Sequence, residues 1–479
     1  MSDLSTKARE LRPGLVPSVG VGVAPFLGVI GVALLAQLVI FPWMVGHGYN
    51  FEAKLSVDIA ISIVLAVSLT MVNGFTGQFS IGHAAFMAVG AYTSACIVYY
   101  GSHKIYGNAD MMGGMLSAMK EGRSGAGAAW LTGADVLFAG AVLSGGVVAA
   151  GCGYLVGLPS LRLKGDYLAI VTLGFGEIVR ALVQSQTSEV LSEGSSVTED
   201  HLKTITAWQG KLTTDDYLTA ANVAELPWYL WPKYVGGALG FAGLPSYNSL
   251  FWAVLAAGAT LVVAYRIKTS TYGRAFLSIR EDEIAAEAMG VNTTAYKVKA
   301  FAIAAFFAGI AGGLFCHTIG VQLNPGELGF QKSFDIIIMV VLGGMGSISG
   351  AAIAAGLVTW IPEKLRKPAE LGDMWVAGIS LIVLGLVVAA VLNMMGRNRA
   401  LGKGIAIVGG IALGLSGLAH VAITYNVDLS RYRMVLFALA LIAMMLLRPQ
   451  GLLGLRELWD KSLWLELFAP DSVKKGAKP

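Results

Sequence analysis

The sequence predicts an all-α, polytopic transmembrane helical bundle with about ten full spans plus a re-entrant or broken helix pair. Three observations carry this. Hydrophobic residues make up 55% of the 479 and charged residues only 13%, where a soluble domain has about 25% charged. The mean hydropathy is +0.67, and the apolar residues fall in runs approaching the roughly 20 residues that a helix needs to cross a bilayer. Gly 61 is well above the usual share of about 7%. Glycine lets helices approach closely in lipid, or break beside a cavity. Aromatics at 9%, without β-branched alternation in the long runs, argue against an outer-membrane barrel.

Taken in order, Lys7, Arg9 and Arg12 precede Pro13 and a full-length apolar run. That pattern predicts a cytoplasmic tail (1–23) in place of a cleaved signal. The first spans are expected at 24–45, 57–73 and 84–100. A Gly-rich polar loop follows, then spans at 136–158 and 167–184 around the basic turn Arg162-Leu163-Lys164. The long segment 187–248 is expected on the extracytoplasmic side. The sixth span, centred on 251–265, returns to Arg266 and Lys268, so the basic loop 271–299 is expected inside. The seventh covers 301–320.

Residues 334–342 are too short to cross, and Gly343-Gly344-Met345-Gly346 separates them from 348–361. A re-entrant pair keeps the later basic residues inside, although Lys364, Arg366 and Lys367 then lie outside against the rule. Further spans at 376–395, 405–423 and 434–447 complete a transmembrane domain at 24–453, followed by a cytoplasmic tail at 454–479. The net charge of +4 sits in membrane-edge loops and gives no nucleic-acid signal. Cys96, Cys152 and Cys316 lie in apolar segments without paired spacing. They read as small buried hydrophobes, with no metal or other cofactor implied.

Gly74-Phe75-Thr76-Gly77-Gln78-Phe79-Ser80 and Gly343-Gly344-Met345-Gly346-Ser347-Ile348-Ser349 share Gly-x-x-Gly-x-x-Ser. Both interrupt apolar helices. Paired broken helices point to a transport pathway, and chance in a Gly-rich chain is the bland alternative. The residues expected to line the path are Gly77, Gln78, Ser80, Gly82, His83, Glu177, Gly343, Gly344, Gly346 and Ser347. Glu177 and Arg180 lie three apart on one helix, so they either meet a zwitterionic solute or form a structural pair. His83 is favoured as a packing histidine over a solute contact. Asp335, near the start of a half-helix, reads as a cap.

The loop 271–299 holds a second pattern. Ser278-Ile279-Arg280-Glu281 fits a capping box, followed by Asp282, Glu283 and a helix ending at Gly290 in the left-handed stop position. Ile284 with Ala288, and Ala285 with Met289, form a small apolar ridge suited to a partner's groove. An ordinary amphipathic connector is the plain alternative.

Glu283-Ile284-Ala285-Ala286-Glu287-Ala288-Met289-Gly290 resembles the coupling loop of ABC-importer permeases. The string Gly77 through Phe86, with Gly165-Asp166-Tyr167-Leu168-Ala169-Ile170-Val171-Thr172-Leu173 and Gly174-Phe175-Gly176-Glu177-Ile178, resembles the branched-chain amino-acid permeases LivM and LivH. Val341-Leu342-Gly343-Gly344-Met345-Gly346-Ser347 and Leu447-Arg448-Pro449-Gln450-Gly451-Leu452 follow in LivM-like order. The resemblance implies a heteromeric bacterial inner-membrane importer with a second, LivH-like permease, two ATP-binding subunits and a periplasmic substrate-binding protein. The residues it implies for ATPase coupling are Ser278, Glu281, Glu283, Ala285, Ala286, Glu287 and Gly290. Segments 187–248 and 376–423 look longer than, or inserted into, the family pattern.

No Gly-x-x-x-x-Gly-Lys-Ser/Thr occurs, so the chain is expected to be no enzyme, with ATP hydrolysis on separate subunits. A urea or short-amide permease is the nearest alternative. An ion-coupled secondary transporter is a remoter one, disfavoured by the few intramembrane acids.

Overall fold

The computed structural model describes residues 15–107, 113–117, 130–160, 166–186, 223–318 and 322–365, with isolated positions 435, 442, 451, 454 and 457. Its helices in chain order are α1 (Leu15–Leu35), α2 (Phe41–Gly46), α3 (Asn50–Leu69), α4 (His83–Tyr106), α5 (Gly133–Ser160) and α6 (Asp166–Gln184). Then come α7 (Leu250–Thr269), α8 (Thr271–Glu281), α9 (Glu283–Ala288), α10 (Thr293–Cys316), α11 (Phe330–Gly343) and α12 (Ile348–Leu365). A π-helical turn, Ala36–Ile40, joins α1 to α2, and another, Thr70–Gly74, extends α3.

Among the described residues seven helical stretches are long and apolar enough to cross a membrane: Val23–Gly46, Asn50–Gly74, His83–Tyr106, Gly133–Pro159, Tyr167–Gln184, Leu250–Thr269 and Thr293–Cys316. They coincide with the first seven expected spans. The spans expected at 376–395, 405–423 and 434–447 lie outside the described residues, apart from single positions. The chain is a multi-pass helical membrane protein.

The chain divides into two compact units, Met1–Ile337 and Ile338–Pro479. In the first, α3, α4 and α10 are mostly buried, whereas α1, α6 and α7 leave most of their surface open. Side chains such as Val32, Val39, Ile170 and Leu182 are exposed, at a cost of roughly 25 cal/mol per Å² in water that a lipid solvent removes.

What holds α4, α5 and α10 together is backbone resting on backbone. A Cβ added at Gly145 would lie 2.6 Å from the Gly90 carbonyl oxygen, and one at Gly309 would lie 2.7 Å from that of Gly145. One at Gly312 would overlap the Met87 carbonyl. Only glycine permits this approach, the usual device where lipid offers no hydrophobic drive between helices.

At the bundle end where α4 and α10 finish, Tyr99, Tyr100 and Phe241 pack edge to face or tilted. Phe241 and Leu323 exchange backbone hydrogen bonds of 2.9 and 3.1 Å. His317, just past α10, places Nδ1 2.8 Å from the Pro245 carbonyl, and its own carbonyl accepts from Asn248 N at 3.0 Å.

In the second unit a tight turn follows α11. Ser347 N donates to Gly344 O at 3.0 Å, with φ of 108° at Gly344 and 109° at Gly346. A Cβ at Gly343 would lie 2.5 Å from Ala351 N, so the turn closes directly onto α12.

Candidate solute path and coupling turn

The first break lies between α3 and α4. Gly77 has φ +69°, a left-handed conformation open to glycine at little cost. Around it the break is pinned from several elements. Ser80 N donates to Asn73 Oδ1 at 3.2 Å, and Ile81 N to Thr172 Oγ1 of α6 at 3.1 Å. Ala84 N donates to Ser333 Oγ of α11 at 3.3 Å. Gly82 sits against the Thr172 carbonyl, which a Cβ would overlap.

Gln78 is 8% exposed and Ser80 1%, yet Gln78 Oε1 and Ser80 Oγ have no hydrogen-bond partner among the described residues. Leaving such groups dry costs about 1–3 kcal/mol each. Two such atoms in one broken segment suit a place that meets a polar molecule. His83 is buried and lies 2.8 Å from Ser68 Oγ through Nε2, the packing role favoured from the sequence.

Glu177 and Arg180 form the ion pair that their spacing predicted, Arg180 Nε donating to Glu177 Oε2 at 2.7 Å. The pair is half-exposed on α6, and among the described residues no hydrogen bond joins it to the break. Asp335 lies in the second turn of α11, beyond the capping position.

The second Gly-x-x-Gly-x-x-Ser string differs in kind. Ser347 and Ser349 are buried and their polar groups are satisfied. Glu457 accepts from Ile348 N at 2.9 Å, from Ser349 N at 2.9 Å and from Ser349 Oγ at 2.6 Å. Ser347 Oγ donates to the same carboxylate at 3.2 Å. Gly344 packs so closely on Gly451 that a Cβ at Gly451 would lie 2.5 Å from Gly344 N.

The loop between α7 and α10 corrects the capping box. Ser278 lies inside α8, where its Oγ donates to Ala275 O at 2.8 Å, and Glu281 is the last residue of that helix. The caps are Ser270, which accepts from Gly273 N, and Asp282, whose Oδ1 accepts from Ile284 N at 2.9 Å and Ala285 N at 3.0 Å. Ser and Asp are strong N-caps, and both stand visibly before helical stretches. Two helices therefore replace the single one expected, with extended Asp282 (φ −155°, ψ 111°) between them. Gly290 does take the left-handed stop, with φ +85° and its N donating to Glu287 O at 2.9 Å.

On α9 the expected ridge of Ile284, Ala285, Ala288 and Met289 lies outward, and Ala286 is the departure. Ala286, expected to enter a partner's groove, is 4% exposed and packs within this chain. Glu283 and Glu287 are engaged internally: Lys297 Nζ lies 2.6 Å from Glu283 Oε1, and Thr293 Oγ1 donates to Glu287 Oε1 at 2.6 Å. The outward face carries Ile284, 72% exposed, and Met289, 85% exposed, with Ala285 and Ala288 also exposed. The sequence reading also passed over Arg280, whose Nη1 donates to the Gly74 carbonyl of the first break at 2.9 Å.

A family model described as "Branched-chain amino acid transport system / permease component" matches residues 53–392. The chain belongs to this permease family. LivM of Salmonella typhimurium, a high-affinity branched-chain amino acid transport system permease protein, is 32% identical over 360 residues, 74% of this chain and 72% of LivM. LivM of Escherichia coli K12 is 32% identical over 356 residues, again 74% and 72% of the two chains. The permease LivH of Escherichia coli K12 matches a shorter stretch, 35% identical over 126 residues, 26% of this chain and 40% of LivH. No solved structure matches.

Proposed function

We propose that this permease is the transmembrane subunit of an ATP-binding cassette importer of the bacterial inner membrane, carrying branched-chain or related hydrophobic amino acids. A LivH-like second permease completes the path, two separate ATP-binding subunits drive it, and a periplasmic binding protein delivers the solute. The observation that carries this reading is the 32% identity to LivM along 74% of the chain.

In this reading residues 1–23 and 454–479 are cytoplasmic, 24–453 form the permease domain, and 187–248 lie outside. Loop 271–299 faces the ATP-binding subunits and presents Ile284 and Met289 to them. An exposed apolar pair on a fastened turn suits insertion into a hydrophobic groove. At the first break Gln78 Oε1 accepts from an ammonium group and the Ser80 hydroxyl donates to a carboxylate. The two ends of an amino acid offer those groups. The second break is filled by Glu457 and serves as a fixed support.

The test is reconstitution of the chain with a LivH-like permease, the ATP-binding subunits and the binding protein in proteoliposomes. ATP-dependent uptake of labelled leucine is the expected result. Preferential uptake of urea, or uptake driven by an ion gradient without ATP, would overturn the reading.

A further inference from the structure

We infer that Arg280 is a positioning residue that transmits displacement of the α8–α9 turn to the first break; this rests on the permease reading above. Two attachments place it there. Arg280 Nη1 donates to Gly74 O at 2.9 Å, a carbonyl at the C-terminal end of the α3 π turn, where backbone acceptors lack helical donors and the helix dipole is negative. The second attachment is steric. A Cβ at Gly77 would lie 3.1 Å from Arg280 Cγ and 3.5 Å from its Cα and Cβ, so the backbone of the break rests on the arginine's backbone and stem.

Behind Arg280 the connection is stiff. Buried Phe276 and Ile279 anchor α8, and Ser270 caps its start. Asp282 is the one residue between α8 and α9. The far side, α9, is strapped to α10 through Glu283–Lys297 and Glu287–Thr293. Ahead of Arg280, Asn73 Oδ1 holds Ser80 N, so a shift at Gly74 moves the segment bearing Gln78 and Ser80. Among the described residues the Arg280 guanidinium hydrogen-bonds backbone only, and its influence on the solute passes through that backbone.

The test uses the assembled complex carrying Arg280→Met, with Arg280→Lys and Arg280→Gln beside it. Three readouts are taken: co-purification of the ATP-binding subunits, ATP-dependent leucine uptake, and stimulation of ATP hydrolysis by loaded binding protein. Arg280→Met should keep the subunits bound. Its uptake should fall about tenfold or more, the scale of one lost charge-assisted hydrogen bond, and stimulation should fall with it. Arg280→Lys should recover part of both, since an ammonium still donates. Arg280→Gln, whose amide is too short to reach Gly74 O, should behave like Met and replaces it if Met fails to insert. Parental uptake and stimulation in the Met or Gln variant would overturn the inference, and so would loss of the ATP-binding subunits, because Arg280 would then act in docking. Absence of leucine uptake by the parent complex sinks the permease reading and this inference together, whereas a parental Met variant sinks this inference alone.

Discussion

Glu457 accepts both the backbone N–H of Ser349, at 2.9 Å, and its hydroxyl, at 2.6 Å, across 108 residues of sequence. With Ile348 N also bound, one buried carboxylate satisfies the open N-terminus of α12 and lies at the positive end of its dipole. Arg280 at Gly74 is the counterpart with opposite sign: a cation at a helix C-terminal end. Removing the carboxylate leaves two buried amides and two hydroxyls to find other acceptors. Glu457→Ala should therefore lower stability by roughly 1.5–3 kcal/mol, the range for hydrogen bonds to a charged group, with Glu457→Gln between Ala and parent. Thermal unfolding of the purified chain checks this, and a parental midpoint for Glu457→Ala would show that the cap contributes nothing.

Docking of the ATP-binding subunits should depend on Ile284 and Met289. Placing a carboxylate in a desolvated apolar contact costs several kcal/mol, so Ile284→Asp or Met289→Asp should abolish co-purification of those subunits while membrane insertion stays normal. Ala286→Trp should act differently, because Ala286 is buried within the chain. It should unseat α9 itself and expose the loop to protease. Retained subunits in both Asp variants would show that the apolar face is not the contact.

The glycine seam should tolerate no side chain. Gly312→Leu places atoms onto the Met87 carbonyl, and overpacking of this kind costs about 1–3 kcal/mol or more. Gly151, on the same bundle, has nothing within 4 Å of an added Cβ, so Gly151→Leu should be nearly neutral. Yield and monodispersity of the detergent-solubilised variants compare the two directly. Equal behaviour would show that the seam can spread.

His317 should confer acid sensitivity. Burial holds its pKa down at about 4, from an ordinary value of about 6.5, despite the backbone carbonyl that favours its protonated form. The unfolded chain therefore binds the proton first. The stabilising contribution is complete above about pH 6.5 and is lost progressively as pH falls toward about 4. Thermal midpoints of the parent should decline across that interval, and His317→Gln should flatten the decline. Identical slopes for the two would remove His317 as the titrating group.

The spans were legible because membrane insertion depends on local composition. The fifth, 167–184, was placed to the residue, Tyr167–Gln184. His83 as a packing residue was legible too, with Ser68 only 15 positions away. The capping box failed because Ser278-x-x-Glu281 satisfies a local template, while burial of Phe276 and Ile279 sets where α8 runs and leaves Ser270 and Asp282 as the caps. The outward ridge of α9 was legible, but the burial of Ala286 was not, for a related reason. Alanines lie on both sides of a six-residue helix, so its inner face is chosen by Lys297 and Thr293 from the next helix. Arg280 and Glu457 act on backbone 206 and 109 positions distant, and no short pattern announces such a contact.

The seam of Gly90, Gly145, Gly309 and Gly312 bears on how such a molecule can open and close. Helices that slide past one another usually absorb the motion by rotamer changes at their interface. Main chain lying on main chain has no rotamers to change, and a small slip would drive carbonyl oxygens into α-carbons. Helices α4, α5 and α10 should consequently travel as one rigid block. Changes in access would then be left to the less buried helices α1, α6 and α7, moving relative to that block.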